Sequence, residues 1–322
     1  MAITSVFVAG ATGLAGSSVL ERLLEDPSLD RIVATCFTST PKLEDPRLEW
    51  KTVDLRNPDA CAEAAAGCSA AIMTAAVTGG AALQTTKPWA MVTDNLIMDA
   101  AMLDGFHRAG VKHIVFVSSA TVYQDFEGII SEEELDWNSD PAPAYMGVGW
   151  AKRSAEKLCR FWHEKGDMDI LIARSSNIYG PEAKFSPETA NFIPALIRKA
   201  EERLDPFEVW GVPEVTRDVI YRKDFGEAVY RLLMQSNIKF DTFNLGSGST
   251  VTVGEVVDCA LSATGHTPSN VTYTGGPTTI IHRALNCSKL QQAIDWTPQW
   301  SVADGIRETA LWWRNNKDSW KR

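Results

Sequence analysis

The chain has 322 residues, with 31 lysines and arginines against 41 aspartates and glutamates, for a formal net charge of −10. At 45% hydrophobic and 22% charged it has globular proportions that exclude disordered and fibrous classes, and its acidity without a basic stripe argues against a nucleic-acid partner. The length suits one large α/β unit with a smaller lobe; the absence of a basic leader and of an apolar run of about 18 residues indicates a cytoplasmic protein with no membrane partner.

From Ser5 to Ala9 a β-type run meets a loop carrying Gly10, Gly13 and Gly16, after which Val19, Leu20, Leu23 and Leu24 recur at helical spacing. Glycine permits a tight turn and lets backbone N–H groups approach a pyrophosphate at a helix N-terminus. Gly10, Thr12, Gly13, Leu14 and Gly16 therefore form the first candidate site, for a dinucleotide. Ordinary turns use glycine too; the strand before and the helix after favour the phosphate reading. Further strands are expected at Arg31–Phe37, Leu48–Val53 and Ala70–Ala75, a helix at Asp94–Ala109, and a buried strand at His113–Val117. Such alternation implies a parallel sheet. Asp136, Asp140 and the Glu132–Glu134 run read as a solvated loop before a helix that contains Lys152, Glu156 and Leu158, and the strand Ile170–Ala173 follows.

Beyond Pro181, shorter elements rich in Pro, Thr and Trp lead to a helix at Val302–Asn315. The expected architecture is a Rossmann-type doubly wound parallel sheet with a smaller C-terminal substrate lobe. Residues 1–180 are mainly dinucleotide-binding, and 181–322 mainly substrate-binding, with segments such as 212–246 returning to the first domain. Trp312, Trp313 and Trp320 read as packing residues, and Trp210, beside Gly211, as a platform for a base. The six cysteines (Cys36, Cys61, Cys68, Cys159, Cys259, Cys287) lack CxxC pairs and histidines at metal spacing, so they read as reduced, and no metal site is expected.

The glycine spacing is G-x-x-G-x-x-G, and it is followed by Val53–Leu55, Ala75–Val77, Asn95, Val117–Tyr123, Lys152 with Glu156, Asn177–Pro181, Arg217–Tyr221 with Asp224, Phe243–Gly246 and Lys289–Pro298. In these motifs nearly the whole chain resembles the extended short-chain dehydrogenase/reductase (NAD-dependent epimerase/dehydratase) family. The resemblance implies an enzyme that oxidises, reduces, epimerises or dehydrates the hexose of a nucleotide-diphosphate sugar through hydride exchange with a nicotinamide. It implies that Asp54 and Leu55 hold the adenine, that Ala75, Ala76, Val77 and Asn95 line the cofactor, and that Lys152 meets its ribose. Ser119 would partner the substrate hydroxyl; Asn177, Asn191 and Trp210 would face the substrate, and the Arg217 guanidinium would clamp its diphosphate. A homodimer is expected.

Ala75–Gly80, Phe192–Leu196 and Val209–Gly211 are similar to the GDP-L-fucose synthase branch of GDP-sugar epimerase/reductases. That branch uses a Cys and a His as its acid/base pair, and the matching positions here are Thr121 and Asn191. The family's Tyr-x-x-x-Lys tyrosine is also missing, because Val148 stands four residues before Lys152. Tyr145 lies seven residues before Lys152, roughly 10 Å along an unbroken helix. A break at Gly147 and Gly149 would fold it back as a relocated proton donor.

The end of the second strand, Thr35–Ser39, lacks the carboxylate that usually receives an NAD ribose, while Thr38, Ser39 and Lys42 suit a 2′-phosphate. The cofactor is therefore expected to be NADP or NAD, with NADP favoured. Two other readings compete: a reductase of a non-nucleotide carbonyl compound, and a cofactor-holding binding or regulatory protein without turnover.

Overall fold

Val6–Ala9, Ile32–Cys36 and Ala70–Met73 are buried without alternation, as strands covered by helices on both faces must be. The computed structural model describes residues 3–79, 86–275 and 282–320. Its central sheet contains β1 (Ser5–Ala9), β2 (Arg31–Cys36), β3 (Leu48–Thr52), β4 (Ala70–Met73), β5 (His113–Ser119), β6 (Asp169–Ser175) and β7 (Phe240–Leu245). The order is β7-β6-β5-β4-β1-β2-β3, with every neighbouring pair parallel. This is the doubly wound arrangement expected from sequence. The strand order reverses between β1 and β4, which opens a crevice for ligands at their carboxyl ends.

The helices are α1 (Leu14–Leu24), α2 (Pro58–Ala65), α3 (Thr93–Ala109), α4 (Met146–Gly166), α5 (Phe192–Glu201), α6 (Arg222–Leu233), α7 (Val253–Thr264), α8 (Ser288–Ile294) and α9 (Val302–Asn316). One sheet face is covered by α1, α6 and α8 through Leu20, Leu23, Phe225, Val229 and Leu290. The other is covered by α2, α3 and α4 through Ala64, Met102, Phe106 and Cys159. Local chemistry sets their ends: the Asn57 side chain caps α2 ahead of Pro58, and Gly110, at a φ of 77°, stops α3.

A separate core joins α5, α7 and α9 around Phe185, Ile197, Val256 and Ile306. Trp312, Trp313 and Trp320 lean on it as packing residues. Short strand pairs stitch this lobe to the sheet: 177–179 runs beside 219–221, and 128–130 beside 283–285. Among the described residues no helix is long and apolar enough to cross a membrane. The cysteines are unpaired, and no cluster of metal-ligating residues occurs among the described residues.

Two details depart from expectation. The fourth strand ends at Met73 rather than Ala75, and the chain leaves it as an irregular segment. The Glu132–Glu134 run is a helical turn that is solvated only in part: Glu133 and Glu134 are exposed, but Glu132 is buried and accepts the backbone N–H of Asn244 at 2.6 Å.

Candidate functional site

β1 ends against a backbone turn that only glycine permits at its first position. Gly10 has a φ of +71°, and a Cβ there would lie 2.7 Å from the Cα of Ala75. Gly16 brings α1 onto the loop, since a Cβ at that residue would stand 2.2 Å from the Gly10 carbonyl oxygen. Gly13 caps α1 in extended conformation, its N–H donates to Gly10 O at 2.9 Å, and no side chain caps the helix start before Leu14. Thr12 sits in this turn, which Thr35 Oγ1 ties to β2 by accepting the Gly10 N–H at 2.9 Å. A glycine turn packed this tightly against the positive end of a helix with no side-chain cap is the cradle a pyrophosphate needs, so these residues fit a dinucleotide cofactor.

The neighbouring positions follow the strand ends. Thr38 is exposed beyond β2. Beyond β3, Leu55 is buried, and the Asp54 carboxylate is gripped by Arg56 at 2.8 and 2.9 Å, which holds it below the usual carboxylate range. Ala75, Ala76 and Val77 follow β4; Gly80, at the end of that motif, lies outside the described residues. Asn95, expected to line the cofactor, has its amide taken up by backbone. It accepts from Val77 N at 2.7 Å and donates to Val77 O at 3.0 Å and Met91 O at 2.7 Å. It therefore shapes the Ala75–Val77 wall.

Ser119 is the last residue of β5, and its Oγ accepts the Thr121 N–H at 3.2 Å. The Thr121 hydroxyl is buried without a hydrogen-bond partner among the described residues. Beneath this turn Ser118 donates to Glu156 at 2.6 Å, Arg174 pairs with Glu156 at 2.8 Å and donates to the Tyr123 hydroxyl at 3.0 Å, and Tyr123 donates to Asn244 at 2.6 Å. A fully bonded buried network of this kind fixes the strand end that carries Ser119. Lys152 is 6% exposed, its Nζ 3.2 Å from an Asp99 carboxylate oxygen and 4.6 Å above the Phe116 ring. Burial pushes the Asp99 carboxyl up, against the pull of the Lys152 ammonium.

Tyr145 does not fold back to Lys152. Helix α4 runs unbroken from Met146 through both glycines, and Tyr145 remains at its N-cap. Gly147 and Gly149 serve close approach instead: a Cβ on Gly149 would meet Thr121 O and Pro141 Cβ at 2.5 Å, and one on Gly147 would meet Val92 at 2.8 Å. Tyr145 faces the guanidinium of Arg283, whose carbon lies 5.7 Å from the ring centroid.

Arg283 has no sequence motif and was not among the sequence candidates. Its Nη2 donates to Ala120 O at 3.1 Å, directly beside the Ser119 turn, whereas its Nε and Nη1 are buried with no hydrogen-bond partner among the described residues. Arg217, whose Nη1 donates to Thr216 O at 2.7 Å, repels it. Burial pushes both guanidinium groups down from their ordinary values. Two partly desolvated cations, Arg283 with two buried donors that have no partner among the described residues, suit a multiply charged anion. Trp210 is 58% exposed, and Asn177 and Asn191 are also exposed, the latter capping α5 without a side-chain bond.

Residues 6–246 match the model of the NAD dependent epimerase/dehydratase family. The chain is 28% identical over 310 residues to a GDP-L-fucose synthase of Sinorhizobium fredii (strain NBRC 101917 / NGR234), covering 94% of this chain and 93% of that protein. It is 26% identical over 313 residues to GDP-mannose 3,5-epimerase 1 of Oryza sativa subsp. japonica, covering 95% and 81%. Among solved structures, MoeE5 in complex with UDP-glucuronic acid and NAD has the same fold, with a TM-score of 0.83 at 24% identity over 97% of this chain and 99% of that one. So does the DesIV double mutant (dTDP-glucose 4,6-dehydratase) of Streptomyces venezuelae with NAD and DAU bound, with a TM-score of 0.83 at 21% identity and 98% coverage of both chains. With the family model matched over residues 6–246, well over half of its length, this chain belongs to the NAD dependent epimerase/dehydratase family.

Proposed function

We propose that the protein binds NADP or NAD at the glycine loop and a nucleotide-diphosphate sugar against Arg217 and Arg283, and that it acts on the hexose by hydride exchange. The observation that carries this reading is the buried guanidinium of Arg283, with two donor atoms that have no partner among the described residues, beside the turn that holds Ser119. A small neutral carbonyl compound would leave those donors unsatisfied, whereas a diphosphate answers both cations. Trp210 offers an exposed ring for the base.

A bound nicotinamide supplies the hydride exchange; the chain supplies position and protons. Ser119 is placed to hydrogen-bond the reacting hydroxyl or ketone. Val148 has no proton to give and Tyr145 stands with the arginines, so we assign proton transfer to a substrate-bound water held by Ser119 and Lys152. Thr121 and Asn191, where the GDP-L-fucose synthase branch has its Cys and His, do not titrate near neutrality, so this reading places the chemistry at the carbinol or ketone rather than in epimerisation by that pair.

Calorimetry with GDP-, UDP-, CDP- and dTDP-sugars, with and without NADP or NAD, tests the proposal when combined with nicotinamide absorbance. Binding of none of the sugar nucleotides would defeat it. The second reading, a cofactor-holding protein without turnover, is favoured by Val148 and by the neutralisation of Lys152 by Asp99; it predicts binding of both ligands with no change in absorbance. The reading also includes a homodimer through α3 and α4, whose outer faces expose Ile97, Trp150 and Phe161, and sedimentation equilibrium tests it.

A further inference from the structure

Helix α9 belongs to the lobe and ends at Asn316, yet Trp320, four residues on, comes to rest beside the glycine loop. A cleft there is lined by Ala11 and Thr12 of the loop, by Thr40, Lys42 and Leu43 after β2, and by Trp320, which follows α9. In a doubly wound dinucleotide fold the adenosine ribose lies between these same two places, with its 2′ oxygen toward the residues that follow β2. No carboxylate occupies that position in Thr35–Ser39. The two carboxylates farther along the cleft, Glu21 and Glu182, are drawn to the buried Arg222 at 2.9 and 3.6 Å.

Lys42 is exposed, and a lone lysine on a loop spreads its ammonium over many rotamers. Here the Nζ is held 4.0 Å from the centre of the Trp320 ring. Trp320 is itself fixed: its indole N–H donates to Ala183 O at 2.9 Å, and its ring meets Trp312 edge-on at 4.8 Å. The C-terminal lobe thereby anchors a cation at the mouth of the cofactor site.

We propose that Trp320 is a specificity-determining residue for the cofactor: it presents the Lys42 ammonium to a ribose 2′-phosphate, so that selection of NADP over NAD depends on the C-terminal segment as well as on the β2 end. The inference rests on the dinucleotide reading of the glycine loop. An aromatic face contributes about 0.5–1 kcal/mol to an exposed cation, so its loss predicts an effect of roughly two- to sixfold; loss of the cation itself predicts about tenfold or more.

The test is calorimetry of the full chain with NADP, NAD, adenosine 2′,5′-bisphosphate and AMP. The wild type is expected to bind the two ligands carrying a 2′-phosphate more tightly than their counterparts. Lys42→Met is expected to remove that preference, Trp320→Leu to reduce it by the factor above, and Trp320→Phe, which keeps a ring, to retain most of it, with NAD and AMP affinities unchanged throughout. Lys42 is an exposed side chain whose substitution leaves the core intact, so the test holds even if Trp320→Leu loosens the lobe. Wild-type binding of NAD at least as tightly as NADP overturns the proposal but leaves the dinucleotide site standing, as does an unchanged preference in Trp320→Leu or an equal loss of all four ligands in that variant. Failure of the wild type to bind any of the four would overturn the dinucleotide reading itself.

Discussion

Arg283→Met separates stability from binding, because the structure predicts opposite signs for the two. In the unliganded protein Arg283 buries Nε and Nη1 without partners among the described residues and is repelled by Arg217. Each unsatisfied buried donor costs on the order of 1–3 kcal/mol. Methionine keeps an unbranched chain of similar length and removes both donors and the charge. It forfeits the Nη2 bond to Ala120 O and the guanidinium contact with Phe126, whose ring centre is 4.4 Å away, together worth about 1.5–2 kcal/mol. Two such donors cost about 2–6 kcal/mol, so the balance is a gain of roughly 0–4 kcal/mol, seen as an equal or higher unfolding temperature in a thermal melt without ligand. Binding moves the other way. Loss of charge-assisted bonds to a diphosphate costs about 2–4 kcal/mol, or roughly 30- to 1000-fold in Kd by calorimetry with GDP- and UDP-sugars. A variant that melts lower than wild type and binds sugar nucleotides equally well would refute the anion-clamp argument on both counts.

Two further outcomes follow from the same geometry. Gly13→Asp is expected to abolish NADP and NAD binding in calorimetry with a melting temperature close to wild type: its φ of −75° suits any residue and aspartate is a good N-cap, the new Cβ presses on Gly10 O at 3.3 Å, and the carboxylate would occupy the pyrophosphate's place. Tyr145→Phe is expected to weaken sugar-nucleotide binding several-fold with kcat within about threefold of wild type; a loss of about 10²-fold in kcat at unchanged affinity would restore Tyr145 as the proton donor.

The sheet and the glycine loop were legible because their determinants are local: an apolar run, glycines at fixed spacing and a helical period. The residues that were missed or misread depend on partners far along the chain. Arg283 acquires its position only because 283–285 pairs with 128–130, which brings it to Ala120 across 163 residues. Glu132 looks solvated in an acidic run, yet it is buried and its carboxylate meets the backbone N–H of Asn244, 112 residues away. Gly147 and Gly149 were ambiguous for another reason. Glycine both breaks helices and permits close approach, and the choice here is made by Thr121, Pro141 and Val92 on the opposing surface.

Val148 marks where the site departs most from its family, and restoring a phenol there tests what Lys152 does now. Val148 and Lys152 are one helical turn apart on α4, so the tyrosine of Val148→Tyr would reach the same cleft face as the ammonium. A free ammonium at that distance would lower the phenol's pKa from its ordinary value near 10. The Lys152 charge, however, is shared with Asp99 at 3.2 Å, and the carboxylate opposes the shift. Val148→Tyr alone should therefore raise turnover chiefly on the alkaline side, with a kcat profile that climbs toward the pKa of the phenol. Adding Asp99→Asn removes the negative charge but keeps an oxygen for the ammonium to bond, so the phenolate is favoured and the profile should move to lower pH. A shift of about one pH unit corresponds to roughly 1.4 kcal/mol of electrostatic interaction, a reasonable size for a buried pair one turn away. The measurement is kcat against pH for wild type, Val148→Tyr and Val148→Tyr/Asp99→Asn, with a melt to establish that each is folded. A profile that stays in place or moves to higher pH when Asp99 loses its charge would mean that the carboxylate does not hold down the lysine's influence on this face of the cleft.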